Sequence, residues 1–237
     1  MRKHPLNFLL VGVRGSGVRV LSDTINLHPD VHCFRSGLLD LDPRIRAEEM
    51  NRVFGRFIDL QLVSPEILLE HWIMQGLGIE RDAIGIALYY DQMEQFGLWD
   101  WCSAMTNMGD FCVLQLCRNP LACLVSATQT PSRDGLPTPV HVQPGQAAQW
   151  CAKVLECEAR LRRCCPDRAE IEHVEFVLDP IGTMRKICWF LERDYEYVVK
   201  PRTVRPPNWE LSRRISNFSE LVGSTGSWTE FLVDEGT

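Results

Sequence analysis

A glycine-rich turn near the amino terminus has the residue types that bind an anion. Gly12, Gly15 and Gly17 lie close together, with Arg14 and Ser16 between them. Glycines let the backbone turn so that several N–H groups point at one place, which is most often occupied by a phosphate. The sequence therefore predicts an anion site here, and a tight connection without a ligand is the alternative.

The spacing of two of these glycines matches a Walker A motif, but the chemistry of that motif is missing. Gly12 and Gly17 are separated by four residues. Val18 and Arg19 stand where the motif has a lysine for the outer phosphates and a hydroxyl for magnesium. The sequence therefore disfavours an ordinary ATPase or kinase.

Arg118 and Ser126 form a second candidate phosphate site. Arg118 follows an apolar run, and Ser126 comes eight residues later, about two turns into a predicted helix. Asn119 can cap this helix and Pro120 fits its first position. A guanidinium and a hydroxyl brought together there can grip a phosphate. The alternative is an arginine paired with a surface carboxylate and a solvated serine.

A third glycine-containing stretch, VGSTGSW, lies near the carboxyl terminus. It is either a turn that packs Trp228 onto the domain or a backbone clamp on a nucleotide phosphate, in which Gly223 and Gly226 take part.

Three short apolar runs predict strands buried on both faces of a parallel sheet, and two of them precede the first two candidate sites. These runs span residues 8–13, 83–88 and 111–117, and a further strand is predicted over 170–177. Apolar residues spaced three or four apart predict helices over about 17–28, over 146–164 and from Pro180 onwards. The pattern predicts an α/β fold of P-loop type, a parallel sheet flanked by helices, with the candidate sites at the strand ends.

The chain as a whole limits the function classes. Its 237 residues suit a single domain spanning 1–237, and its net charge of −6 argues against a general nucleic-acid or anionic-membrane binder. The first apolar run is too short for a signal peptide, and no stretch reaches transmembrane length. The ten cysteines form neither a CxxC pair nor a zinc spacing. We therefore expect a cytoplasmic protein without a metal.

Two segments are candidates for the substrate side. The pattern of residues 34–80 predicts either a helical insertion that shapes an acceptor pocket or a plain helical layer that covers the sheet. Residues 129–146 are rich in proline and predict a long loop, of the kind that serves as a lid or binds substrate.

Taken together, these segments resemble the sulfotransferases that use 3′-phosphoadenosine 5′-phosphosulfate (PAPS), especially the bacterial and tyrosylprotein-type branch. The similar stretches are FLLVGVRGSGVRVLSDTINLHPDVHC, CRNPLACLVS, the helix–strand–Asp-Pro–helix region after residue 150, and VGSTGSW. The resemblance implies a sulfotransferase-like fold. It also implies that PAPS is bound and 3′-phosphoadenosine 5′-phosphate (PAP) is the product.

The resemblance also implies which residues hold the two ends of the nucleotide. Backbone amides from Gly15 to Val18, with Arg14 or Arg19, would hold the 5′ side. Arg118 and Ser126 would hold the 3′-phosphate, and no metal is required.

Several positions depart from the family pattern. Gly15 stands where a basic residue is usual, and Val18 replaces a threonine. Phe34-Arg35-Ser36 stands where the tyrosylprotein branch carries its glutamate base, and Ala87-Leu88 occupies the place of a lysine. Nucleotide binding is therefore better supported than turnover.

Sulfuryl transfer also needs a group that takes the proton of the acceptor, and groups such as Arg14 that stabilise developing charge. The candidate bases are His32, Asp40, Asp42, Glu48 and Asp91.

The leading hypothesis is a sulfotransferase acting on a hydroxyl or amine. The alternatives are a weak or inactive relative that binds a nucleotide or a protein, and a nucleotide kinase-like enzyme. Sugar, lipid, small metabolite and peptide tyrosine all stay open as acceptors, and so does the oligomeric state.

Overall fold

The structure is a computed structural model that describes residues 6–35, 81–107, 111–129, 138–195, 210–223 and 226–232. Asp40, Asp42 and Glu48 lie outside these residues, as do most of the predicted insertion 34–80 and residues 130–137 of the predicted lid. The single-domain organisation stays a prediction.

Five parallel strands form one sheet in the order β2-β3-β1-β4-β5. The strands are β1 (Leu6–Gly12), β2 (Val31–Phe34), β3 (Ala83–Tyr89), β4 (Phe111–Cys117) and β5 (Ala169–Glu172). All seven residues of the central strand β1 are buried, as its almost unbroken apolar run predicts. The predicted α/β fold with a parallel sheet is confirmed.

Helices cover both faces of the sheet. The α-helices of the described residues are α1 (Val18–Ile25), α2 (Tyr90–Gln95), α3 (Leu98–Thr106), α4 (Pro120–Thr128), α5 (Pro144–Cys164), α6 (His173–Leu178), α7 (Pro180–Phe190), α8 (Leu211–Arg214) and α9 (Phe218–Val222). A 3-10 turn, Ser227–Phe231, follows α9. None of the described helices combines the length and apolar character needed to cross a membrane.

Alternate residues of β1 enter two separate cores. Leu9 and Val11 pack with α2, α3 and α5 on one face. Phe8 and Leu10 pack with α1, α6 and α7 on the other. This period of two follows from the pleat of a strand, and it fixes the helices on either side of the sheet.

A third core joins the carboxyl-terminal elements to α4 and α5. Trp228 is buried there, so the predicted packing of this side chain onto the domain is confirmed. Residues 138–142 run beside the end of α8, with Val140 bridged to Ile215, and the Asn217 side chain bonds both the N–H and the C=O of Val142.

Two strand predictions were incomplete. Residues 170–177 do not form one strand, because β5 ends at Glu172 and α6 begins at His173. His173 and Phe176, three residues apart, are the buried residues of α6, which is a helical spacing. The edge strand β2 was not predicted, since four residues are too few to show a period.

Candidate functional site

The candidate site lies at the carboxyl edge of the sheet, around the end of β1. Gly12 is level with Tyr89 of β3 on one side and with Leu116 of β4 on the other. The connections after these strands therefore meet at one place. The chain adds β3 on one side of β1 and β4 on the other, and ligands of open α/β sheets bind at such a switch point.

The turn after β1, residues 12–17, is called the anion loop here. Gly15 and Gly17 have φ angles of 84° and 99°, which glycine adopts readily and other residues do not. A Cβ at Gly15 would lie 2.3 Å from the backbone oxygen of Cys123, and one at Gly17 would lie 3.2 Å from His173 Cδ2. The loop is therefore packed tightly against α4 and α6.

The anion loop leads directly into the start of helix α1. Gly17 is the N-cap and offers no side-chain hydrogen bond to the first turn. The Val18 side chain is buried in the core, so this residue contributes only its backbone N–H, and Arg19 points outwards and is exposed. Ser16 Oγ is buried and has no hydrogen-bond partner among the described residues.

Arg118 joins the anion loop to the second predicted phosphate segment. Its Nη1 atom donates to the backbone oxygen of Gly15 at 2.7 Å and to Ser126 Oγ at 3.2 Å. Asn119 caps α4 by accepting from the N–H groups of Leu121 and Ala122. The end of β4 and the start of α4 thus bring a buried guanidinium to the loop that follows β1.

Arg214 is a site residue that the sequence did not indicate. It is the last residue of α8, and its Nη1 and Nη2 atoms lie 3.5 and 3.4 Å from Ser126 Oγ. It also donates to Gln129. Arg118 and Arg214 are only 7% and 6% exposed, so two buried guanidinium groups converge on one hydroxyl.

His173 is a second residue that the sequence did not indicate. It follows the carboxyl end of β5 directly and lies against Gly17. Burial, followed by the charge of Arg118, lowers the pKa of His173 to about 3. The imidazole is therefore neutral at pH 7. If the predicted strand 170–177 had been ended at Glu172, the sequence would have placed His173 at the carboxyl edge of the sheet, where the site lies.

Arg14 and Asp91 meet on the opposite side of β1 from Arg118. Arg14 Nε donates to Asp91 Oδ2 at 2.6 Å, and the guanidinium lies 4.7 Å from the centre of the Tyr89 ring. Both charged side chains are about half exposed. Asp91 is thus the predicted base that the described structure brings to the anion loop.

His32 is not brought to the anion loop. It lies in the edge strand β2, level with Ile84, and Ile84 is five residues before Tyr89 on β3. At a rise of ~3.3 Å per residue this is about 16 Å along the strand from the level of the site. Its ring packs edge-on against Phe34 at 4.6 Å, and burial, with Arg81, lowers its pKa.

The carboxyl-terminal glycines lie on the surface. Gly223 follows α9, and Gly226 begins the 3-10 turn. This turn is tied to the Arg118 segment, because Asn119 Nδ2 donates to the backbone oxygen of Phe231 at 2.9 Å. The part of Gly223 and Gly226 in phosphate binding stays a prediction. The described residues contain no cluster of three or more His, Cys, Asp or Glu side chains suited to a metal.

Comparison with known proteins shows a likeness in fold. The sulfotransferase from Alicyclobacillus acidocaldarius aligns over 98% of this chain and 95% of its own, with 15% sequence identity and a TM-score of 0.53. The sulfotransferase domain of the Synechococcus PCC 7002 olefin synthase aligns over 85% and 79%, with 16% identity and a TM-score of 0.46.

Mouse sulfotransferase SULT7A1, solved in complex with PAP, aligns over 95% of this chain and 69% of its own, with 17% identity and a TM-score of 0.41. No protein family model and no curated protein sequence matches the chain. The likeness to the Alicyclobacillus acidocaldarius protein shows that the fold is sulfotransferase-like, as the motifs predicted.

Proposed function

We propose that this protein transfers a sulfuryl group from PAPS to a hydroxyl or amine. The observation that carries the proposal is the position of Arg118, whose guanidinium contacts both the anion loop and Ser126. The family resemblance assigns the anion loop to the 5′ side of the nucleotide, and it assigns Arg118 and Ser126 to the 3′-phosphate. Had these two segments been on different sides of the molecule, the proposal would have no basis.

Arg118, Ser126 and Arg214 form the proposed site for the 3′-phosphate. Guanidinium groups bind phosphate through paired, charge-assisted hydrogen bonds, and a dianion balances two of them. Both guanidinium groups are buried, so solvent screens their charge poorly. Because ATP and AMP have no phosphate at this position, the site would favour PAP over either of them.

The backbone amides of Gly15 to Val18 form the proposed site for the 5′ side. The glycine conformations and the uncapped start of α1 leave N–H groups available to an anion, although the N–H of Ser16 already donates to the Val13 oxygen at 3.0 Å. The buried Ser16 hydroxyl, which lacks a partner among the described residues, is a further donor at this loop. Bound here, PAPS would supply the sulfuryl group.

Asp91 is the proposed proton acceptor, and Arg14 is proposed to orient it. The ion pair engages Asp91 Oδ2, which leaves Oδ1 to accept a hydrogen bond from an incoming hydroxyl. Arg14 belongs to the anion loop, so the same guanidinium can balance negative charge that develops on the transferred group.

The free thiol state of all ten cysteines supports a reducing compartment, which we propose is the cytoplasm.

Binding of PAP and of AMP, measured by isothermal titration calorimetry, tests the nucleotide site. Arg118→Ala should weaken PAP binding by about a hundredfold and remove most of the preference over AMP, because it deletes charge-assisted hydrogen bonds. Arg162→Ala, which removes an exposed arginine of α5, is the control and should bind PAP normally. Equal affinity for PAP and AMP in the unmodified protein would contradict the proposal, and a preference for ATP would support the kinase-like alternative.

A binding protein without turnover is the second candidate function, and Gly15 favours it. Relatives are expected to carry a basic side chain there, but its positive φ angle and the nearby Cys123 oxygen leave no room for one. Sulfate transfer from labelled PAPS to a panel of alcohols, phenols, amines and sugars separates the two functions. PAP binding with no transfer to any acceptor would favour the binding protein.

A further inference from the structure

A pocket opens beside Arg14 and Asp91, on the side of β1 opposite to Arg118. It lies between the anion loop, helix α2 and helix α5, and its volume is about 130 Å³. Its lining residues are Val13, Arg14, Tyr90, Asp91, Glu94, Trp150, Lys153, Val154 and Cys157. The pocket is therefore lined by the anion loop, through Val13 and Arg14, and by the proposed proton acceptor Asp91.

The walls of this pocket are mostly apolar, and its charged side chains are paired. Arg14 bonds Asp91 at 2.6 Å, and Lys153 bonds Glu94 at 2.7 Å. Two positive groups thus balance two negative ones. A charged occupant would find its counter-charge already engaged, and a sugar would leave most of its hydroxyls against apolar walls without partners.

The size of the pocket limits its occupant to one small ring. An engineered apolar cavity of about 150 Å³ is known to bind benzene, so a volume near 130 Å³ suits a group of that scale. Trp150 supplies an aromatic wall, held in place because its Nε1 atom donates to the backbone oxygen of Pro120 at 2.9 Å.

We propose that this pocket binds the acceptor, and that the acceptor is an uncharged phenol-sized ring whose hydroxyl lies at Asp91. The inference rests on the proposed function for the reaction, but the binding site itself does not require turnover. A free small phenol and a tyrosine side chain both carry such a ring with its hydroxyl.

Binding of 4-methylphenol to the full chain, measured by calorimetry and ligand-observed NMR, tests the pocket directly. Val154→Phe should fill the pocket and lower this affinity by about tenfold or more. Leu155→Phe is the matched control on the same helix. Leu155 is 42% exposed whereas Val154 is 3% exposed, so the control should change the affinity less than about twofold.

Other probes define the class of occupant. Glucose should show no binding, and glucose binding as tight as that of 4-methylphenol would overturn the proposal. A capped tyrosine peptide that binds as well as 4-methylphenol identifies a tyrosine side chain as the source, and failure of the peptide identifies a free phenol. An affinity for 4-methylphenol that Val154→Phe leaves unchanged would also overturn the proposal.

PAP binding separates a failed pocket from a failed nucleotide site and from misfolding. Phenol binding without PAP binding overturns the nucleotide proposal and leaves the pocket standing, and the reverse overturns the pocket alone. If Val154→Phe loses PAP binding as well, its fold is disturbed and the variant does not test the pocket. Val154→Ala then serves as the test of the pocket in its place. The enlarged pocket of that variant should bind 4-tert-butylphenol about tenfold more tightly than the unmodified protein does, and an unchanged affinity counts against the pocket.

Discussion

Gly15 holds the anion loop against helix α4 in a way that no other residue allows. Its φ angle of 84° is unfavourable for a residue with a Cβ, and that Cβ would lie 2.3 Å from the backbone oxygen of Cys123. Backbone cannot move aside as a flexible side chain can. The close approach also sets the distance at which Arg118 reaches the Gly15 oxygen.

Gly15→Ala should therefore lower the free energy of unfolding by about 2 kcal/mol, because it adds strain at a positive φ angle and a clash with backbone. It should also weaken PAP binding, since the loop must shift away from Arg118. Urea unfolding and calorimetry measure the two effects. Gly145→Ala is the control.

Gly145 lies in the first turn of α5, and a methyl group added there would meet no neighbouring atom within 4 Å, so alanine should leave stability unchanged or raise it slightly. Equal stability of the two variants would show that the anion loop has room for a side chain. A loss of stability in Gly15→Ala with unchanged PAP affinity would show that the loop does not bind the nucleotide.

Helix α4 depends on one side chain for two separate contacts. Asn119 Oδ1 accepts from the N–H groups of Leu121 and Ala122 and so caps the helix. The other end of the same amide donates to the Phe231 oxygen and holds the 3-10 turn. The position of Arg118, one residue earlier in the chain, follows from both contacts.

Two substitutions at Asn119 separate these contacts. Asn119→Ala should lower the free energy of unfolding by about 1 kcal/mol, because it removes the cap. Asn119→Asp keeps the acceptor but loses the donor, so it should retain most of the stability while chymotrypsin cleaves faster near Phe231. An aspartate variant as unstable as the alanine variant would contradict the capping role, and unchanged cleavage would contradict the tie to Phe231.

The elements that the sequence predicted well are those with a long, single pattern. β1, β3 and β4 are nearly unbroken apolar runs, and such runs identify strands covered on both faces. The apolar residues at 171, 174 and 176–178 suit a strand as well as a short helix, so the end of β5 was placed too late. This error hid His173, which begins α6 at the site.

Arg214 illustrates a limit of a different kind. Its approach to Ser126 depends on the contact of residues 140–142 with residues 214–217, which lie more than 70 residues further along the chain. No local spacing encodes such a contact. Arg118 and Ser126, in contrast, lie eight residues apart on one helix and its preceding turn, so their meeting could be predicted.

The molecule as a whole is acidic, yet it concentrates buried positive charge at one edge of its sheet. The net charge is −6, whereas Arg118 and Arg214 converge on Ser126 in a poorly solvated region. His173 next to Arg118 is neutral first because burial disfavours its charged form, and second because the positive charge of Arg118 would repel it. The stability of the whole chain is therefore linked to the protonation of His173.

The direction of this linkage follows from the two pKa values of His173. The folded protein holds its pKa at about 3, whereas the unfolded chain has the ordinary value of 6.5. Between these values the unfolded state binds a proton that the folded state does not, so stability is lost as the pH falls below 6.5. Burial raises the pKa values of Glu158 and Glu172 above 4.5, so at pH values above 4.5 these two groups act in the opposite direction.

Between pH 6.5 and pH 5 the lowered pKa of His32 acts in the same direction as that of His173, and the two glutamates act against both, so the part of the loss that belongs to His173 is measured by comparing the unmodified protein with a variant. His173 itself links at most one proton, which limits its part of the loss to about 1.4 kcal/mol per pH unit, or about 2 kcal/mol over the window. His173→Gln should remove this part of the pH dependence of the unfolding free energy, measured with urea at several pH values. His141→Gln, which replaces an exposed histidine, should retain it. The same slope in His173→Gln as in the unmodified protein would mean that the folded state protonates His173 as readily as the unfolded state does, and below pH 6.5 the site would then hold three positive charges rather than two.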